Sequence, residues 1–284
     1  MARRDWERVR EVLDGFLAHQ DSGRLLAADP VSFPRKYASK DDREVAGLVA
    51  ASLAFGRVAS IRAKIASALE RMGPSPAAYV DGLDPAKALR DFRGWNHRMA
   101  RPRHLVDLLK GIQSVRKEHG SLGKAFAGFY AERKDLRSAL GDLSSALGKV
   151  GGNLLAHPKG GGPCKRLNLY LRWMVRPDDG MDLGCWSGVP ASALVMPLDV
   201  HIHRIGRYVG FTKKKTPRWE TAAEITAALS RLDPLDPLKY DFALCHLGIA
   251  GDCPRHRVKA ICARCDLKEI CRLPRRDKRS VPIG

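Results

Sequence analysis

The sequence predicts an all-α fold, and three observations lead there. Apolar residues recur at helical spacing along nearly the whole chain, no stretch alternates as a strand would, and helix start and stop signals bracket the periodic segments. At 284 residues and 44% apolar side chains, the chain is long enough for one large domain or two modest ones with a real core.

Trp6, Val9, Leu13, Phe16 and Leu17 fall on one face of a first helix. Asp41-Asp42 opens the next segment, where Val45, Leu48, Val49 and Leu53 are interleaved with Ala46, Ala50, Ala51 and Ala54. A helix apolar nearly all round belongs at the centre of a bundle. Ile61, Ile65, Leu69 and Met72 continue the pattern until Gly73-Pro74 stops it. Leu105, Leu108, Leu109 and Ile112 form a further stripe, and Leu136, Leu140, Leu143 and Leu147 another. The composition then shifts: Gly151-Gly152 is followed by Pro158-Lys159-Gly160-Gly161-Gly162-Pro163. Beyond this loop the spacing predicts a helix over about 164–176, and Asp199 stands where the N-cap of a helix over 200–209 is expected, with Gly210 closing it. Helices over 220–232 and 240–247 precede a cysteine-rich segment.

Fifty Lys and Arg against thirty-one Asp and Glu leave a net charge of +19, which points to a polyanionic partner, most simply nucleic acid. The longest nearly apolar run, residues 45–56, is too short to span a bilayer, and no apolar signal core follows Met1-Ala2-Arg3-Arg4. The expectation is a cytoplasmic monomer that does not enter membranes. Seven cysteines, an odd number without a secretory signal, argue against a disulfide framework.

Three constellations carry chemistry. Glycines 160, 161 and 162 before a helix expose backbone N–H groups at its electropositive end, a seat for phosphate. Lys165 lies in the first turn of that helix, where the dipole disfavours an ammonium; a neutral lysine there is a nucleophile able to form a Schiff base with a sugar C1′. The plainer reading of Lys165 is a solvated surface lysine. Asp199 reads plainly as a cap, and functionally as an ionised carboxylate facing a developing sugar cation. His201 and His203, two apart on a helix, point different ways and fit packing or phosphate contact better than metal binding. Cys253, Cys262, Cys265 and Cys271 crowd into nineteen positions among basic residues, a set of thiolates for a [4Fe–4S] cluster or for Zn²⁺. Zinc ribbons bring two CxxC pairs; one pair flanked by single cysteines favours the cluster.

The Gly-rich loop, the helix-opening Lys165 and the run Pro197-Leu198-Asp199-Val200-His201 resemble the helix-hairpin-helix (HhH-GPD) DNA glycosylases, whose signature is a Gly/Pro-rich loop followed by an aspartate. The cysteine segment resembles the cluster loop of the endonuclease III branch. The long gap from Lys165 to Asp199 and the unusual hairpin are closer to the archaeal 8-oxoguanine glycosylases. Over roughly residues 25–250 the chain is similar to a little-characterised bacterial family of such proteins, through Asp29-Pro30-Val31-Ser32-Phe33-Pro34, Lys165-Arg166-Leu167-Asn168, Leu171-Arg172-Trp173-Met174 and Lys239-Tyr240-Asp241-Phe242-Ala243.

That resemblance implies two helical lobes with a DNA site between them. Residues 41–178 would form a helical barrel carrying Lys165, residues 1–40 with 181–250 a second lobe carrying Asp199, and residues 251–284 the cluster loop and a basic tail. It further implies a bifunctional DNA glycosylase and AP lyase acting on double-stranded DNA, with oxidised purine such as 8-oxoguanine as the substrate class. Lys165 and Asp199 would be catalytic, Gly160, Gly161, Gly162 and His201 would bind phosphate, and Phe55 or Arg57 would be the wedge. Trp95, Trp173, Trp186 and Phe242 are available for stacking on a base. The alternatives are a non-catalytic protein that binds bent or damaged duplex on the same scaffold, and an RNA-binding zinc protein.

Overall fold

The computed structural model describes residues 5–152 and 154–273. Among them the chain is helical throughout, without a strand; a single antiparallel bridge joins His97 and Ala100. The helices are α1 (Trp6–Ala18), α2 (Ser22–Ala28), α3 (Lys40–Leu53), α4 (Val58–Met72), α5 (Pro76–Asp81), α6 (Pro85–Asp91) and α7 (Pro102–His119). They continue with α8 (Leu122–Arg133), α9 (Leu136–Ala146), α10 (Lys165–Val175), α11 (Val200–Val209), α12 (Trp219–Leu229), α13 (Asp241–Ile249) and α14 (Lys259–Ala263). The starts follow capping chemistry: Asp5, Ser75, Asp84, Ser121 and Asp135 each accept an amide hydrogen from the first turn that follows.

Helix α3 runs through the middle of the first hydrophobic core, with eleven of its fourteen residues buried. Its Gly47 lets α10 come close, since a Cβ there would overlap Met174. Glu44, also inside this core, accepts from Trp186 Nε1 at 2.9 Å and from the Leu122 amide at 3.0 Å. Burial raises its carboxyl above the usual range, and these donors oppose that rise.

The second core gathers Val9, Leu13 and Phe16 of α1 with the inner faces of α11, α12 and α13. The division differs from the expected lobe boundaries. Val31 and Phe33, expected in the second lobe, pack in the first core, as do Leu183, Cys185, Trp186, Val189 and Leu194. The chain passes from the first core to the second near 195, after the turns following α2 and the loop following α10 have wrapped onto α3 and α8, and it touches the first core again through Trp219 and Leu238. The cysteine segment is not a separate unit: Leu267 and Ile270 belong to the second core. The basic tail beyond 273 lies outside the described residues.

A buried ion chain fastens the two cores. Arg172 of α10 pairs with Asp182 and Asp241, and Arg176 pairs with Asp182 and Asp236. Arg172, Asp182 and Asp241 are all 2% exposed or less. Desolvation makes such a network a poor source of net stability, yet removing one partner costs about 3–5 kcal/mol, so it fixes register. No helix among the described residues is long and apolar enough to cross a membrane.

Candidate functional site

The glycine loop sets the start of α10. A short 3₁₀ turn at Pro158–Gly160 is capped by His157, and Gly161 follows at φ +71°, where glycine is favoured. The Gly161 carbonyl accepts from the Trp219 amide at 3.2 Å, pinning the loop to the start of α12. Cys164, at φ +46°, takes the same left-handed region without that freedom, and α10 begins at the next residue, Lys165. Two of the three glycine amides expected to seat phosphate are engaged within the loop. The amides of Gly160 and Gly161 are spent on His157 and Pro158 carbonyls, because the triplet folds as a tight turn. Helix α10 has no side-chain cap, so the amides of its first turn point outward as donors.

Asp199 enters from the other core. It caps α11, its Oδ1 accepting from the amides of His201 and Ile202, both at 2.8 Å. Its Oδ2 lies 3.8 Å from Lys165 Nζ, with side-chain exposures of 15% and 28%, so the pair is sheltered but reachable. The two residues singled out from the sequence thus meet across the boundary between the cores.

Other side chains at the site escaped sequence reasoning. Cys245 of α13 donates its thiol to Asp199 Oδ2 at 3.6 Å. Burial, and then the Asp199 carboxylate, pushes the Cys245 thiol well above its usual range. Next to it, His246 Nε2 faces Asp29 Oδ2 at 3.6 Å, while its Nδ1 donates to the Phe242 carbonyl at 2.9 Å. The motif residues Asp29, Arg172 and Asp241 therefore gather behind the Lys165–Asp199 pair.

His201 of α11 is half-buried against α13, where Gly248 leaves room for it; a Cβ at 248 would overlap the His201 side chain. Burial depresses its pKa, and its Nδ1 lies 3.3 Å from Arg204 Nη2. His203 is elsewhere, with Nε2 against the Lys214 carbonyl at 3.0 Å. Phe55 is half-buried between the ring of His97, at 4.5 Å, and the guanidinium of Arg166, at 4.9 Å; Arg57 is exposed. Burial pulls the Arg166 pKa down to about 10. Trp95, Trp173, Trp186 and Phe242 are all buried at 6% exposure or less, which leaves no ring face open for a base.

Cys253, Cys262, Cys265 and Cys271 line one cavity of about 330 Å³ together with Tyr208 and Arg257. Among the described residues no three His, Cys, Asp or Glu side chains converge closely enough to hold a single ion. Arg204, one turn beyond His201 on α11, hydrogen-bonds the Cys253 thiol, and its buried Nε has no partner among the described residues. An unmet donor beside four thiols fits an anionic sulfur-rich group in that cavity.

Residues 29–250 match the family described as protein of unknown function (DUF2400), and the chain belongs to that family. Neither a curated protein nor a solved structure matches it.

Proposed function

We propose that this chain is a helix-hairpin-helix DNA glycosylase with AP lyase activity, its two cores serving as the lobes on either side of the DNA site. The observation that carries the reading is Lys165 Nζ set 3.8 Å from an Asp199 carboxylate held by two backbone amides. In the resting pair the carboxylate holds the ammonium. Passing that proton to the departing base, directly or relayed through Asp199, frees the amine to attack C1′ as the N-glycosidic bond breaks and leaves Asp199 ionised. The base leaves with the bonding electrons, and Asp199 stabilises the positive charge that develops on the sugar. Ring opening gives a lysine Schiff base; loss of a C2′ proton then expels the 3′ phosphate. The amides of the first α10 turn and the +19 charge support a phosphate-bearing substrate. Oxidised purine is the substrate class suggested by the resemblance to the archaeal branch.

Cys253, Cys262, Cys265 and Cys271 would hold a [4Fe–4S] cluster. Four thiols spread around a cavity suit it better than a lone zinc, whose tetrahedral bonds of about 2.3 Å draw sulfurs to one point. When bound, the cluster supplies a covalent tie that fixes the basic segment around it and satisfies Arg204.

The test is borohydride trapping on duplexes carrying 8-oxoguanine, an oxidised pyrimidine, uracil or an abasic site, with Lys165→Ala alongside. An adduct on a damaged base that disappears in Lys165→Ala is expected. Adducts that survive the substitution move the nucleophile elsewhere. Tight duplex binding with neither adduct nor base release identifies a non-catalytic DNA-binding protein.

A further inference from the structure

Arginines on α10 divide sharply by their company. Arg172 and Arg176 are each met by carboxylates, whereas Arg166, nearly two turns before Arg172, is met by none among the described residues. Its guanidinium is half-buried yet lies only over the face of Phe55. Arg57, two residues after this phenylalanine, Arg98, whose side chain lies against Gly56, and Arg101, which meets the Arg98 carbonyl, also lack an acidic partner among the described residues, and all three are exposed. A desolvated or crowded cation without an acid is costly to hold unless an anion from outside completes it.

The segment bearing Arg98 is built to stay in place. His97 and Ala100 exchange backbone hydrogen bonds of 3.1 and 2.9 Å, making a tight turn with Arg98 and Met99 at its tip. Arg98 sits at φ +55°, a strained position for a side-chain-bearing residue that persists only where its surroundings demand it. The demand is visible. His97 is 1% exposed, stacks on Phe55, and donates Nε2–H to the carbonyls of Leu53 (3.1 Å) and Phe55 (2.9 Å). Arg101 Nη1 ties the turn from outside through the Arg98 carbonyl at 2.7 Å. Between two buried anchors, Met99 is left 50% exposed.

We propose that Arg166, Arg57 and Arg98 form a second phosphate-binding surface that grips the sugar–phosphate backbone of a duplex, with Met99 as an apolar tip directed at its groove. This rests on the nucleic-acid reading above but not on the Lys165 chemistry. A duplex suits the surface better than an acidic protein for two reasons. The planar guanidinium stacked on an aromatic ring is the geometry that receives phosphate bidentately, and Arg166 belongs to the same first turn of α10 whose free amides seek phosphate. A rigid exposed methionine beside arginines matches the apolar wedges of proteins that open base steps.

The test is the salt dependence of binding to an undamaged, fluorescently labelled duplex. Arg98→Gly removes the side chain and suits the positive φ, and Arg166→Met keeps the packing on Phe55 while deleting the charge, so both leave the turn intact. The Arg57→Ala/Arg98→Gly pair is expected to weaken binding about tenfold at low salt and flatten the salt slope by roughly 2, with Arg166→Met flattening it by about 1. Lys117→Ala, about 22 Å along α7 from this turn, serves as the control and leaves the slope unchanged. Parental slopes in both arginine variants, with unaltered melting, overturn the proposal. A chain that gives neither borohydride adduct nor base release but still shows the flattened slopes overturns the glycosylase reading and leaves this surface standing.

Discussion

The Cys245 thiol and the Asp199 carboxylate share one hydrogen bond, Sγ to Oδ2 at 3.6 Å, on the same oxygen that Lys165 faces from the opposite core. The carboxylate is thus divided, Oδ1 to the backbone of α11 and Oδ2 to Cys245 and Lys165. Because burial and the neighbouring carboxylate keep the thiol protonated, Cys245 remains a donor throughout the neutral range.

Cys245→Val deletes that donor at nearly constant volume. A hydrogen bond of this kind contributes on the order of 1 kcal/mol, so base release should slow roughly fivefold in single-turnover assays. Cys245→Ser, which keeps a donor, should recover most of the rate. Equal rates for the valine variant and the parent would reduce Cys245 to packing.

Asp199→Asn separates the two duties of this residue. Asparagine caps a helix about as well as aspartate, so α11 and the melting temperature should survive. In the proposed reaction, losing this charge should slow base release by about 10²–10⁴-fold. A variant that melts normally and turns over normally would leave Asp199 as a cap alone.

Gly248→Ala probes how tightly the site is packed. Its methyl group would overlap the His201 side chain, and neither α11 nor α13 can yield without disturbing Asp199 or Cys245. Overpacking of this kind costs about 1–3 kcal/mol, visible as a lower urea midpoint, and duplex binding should weaken with it. A midpoint equal to the parent's would show that the helices can part freely here.

The long helices were legible because their apolar stripes run for several turns, as in α1, α3, α7 and α9. For α11 the Asp199 cap and Gly210 stop also marked both ends. The short α5 and α6 announce themselves only by a capping Ser75 or Asp84 and a first-turn proline, since one or two turns carry no period to count. The 122–133 segment was missed for another reason: its apolar residues are diluted by Gly123, Gly128 and alanines. At the site, Lys165 and Asp199 could be singled out as chemical types, but their approach depends on how α10 and α11 dock. Cys245 carries no signal of its own in the sequence, since only the packing of α13 against α11 brings it to Asp199, and Arg166 likewise meets Phe55 only in the folded chain. Which glycine amides a turn consumes is likewise a property of the folded loop.

Acid should loosen the fold through two imidazoles. His97 and His201 are both held below their ordinary pKa, first by burial, so the unfolded chain takes up protons there more readily than the folded one. Their contribution is complete above about pH 6.5 and is lost as pH falls below it. The melting temperature should therefore drop between about pH 7.5 and about pH 5.5, before depressed carboxylates such as Asp81 begin to titrate. His97→Gln should melt lower at neutrality yet lose less on acidification. An equal loss in parent and variant would place the acid sensitivity elsewhere.

The cysteine cavity makes a prediction about composition and another about stability. Purified anaerobically, the chain should carry roughly four irons and a visible absorption, and Cys262→Ser should lose both. One zinc and no colour would sink the cluster assignment. Because Leu267 and Ile270 of this segment pack in the second core beside α1, removal of the metal group should also lower the melting temperature. Arg204 adds a sharper test. It spans from His201 near the Lys165–Asp199 pair to Cys253, so Arg204→Met should retain iron yet disturb the site end of α11. The expected result is near-normal absorption with several-fold weaker trapping. Loss of iron and trapping together would instead make Arg204 a requirement for building the cluster, and parental trapping with full iron would show that the two ends of α11 act independently.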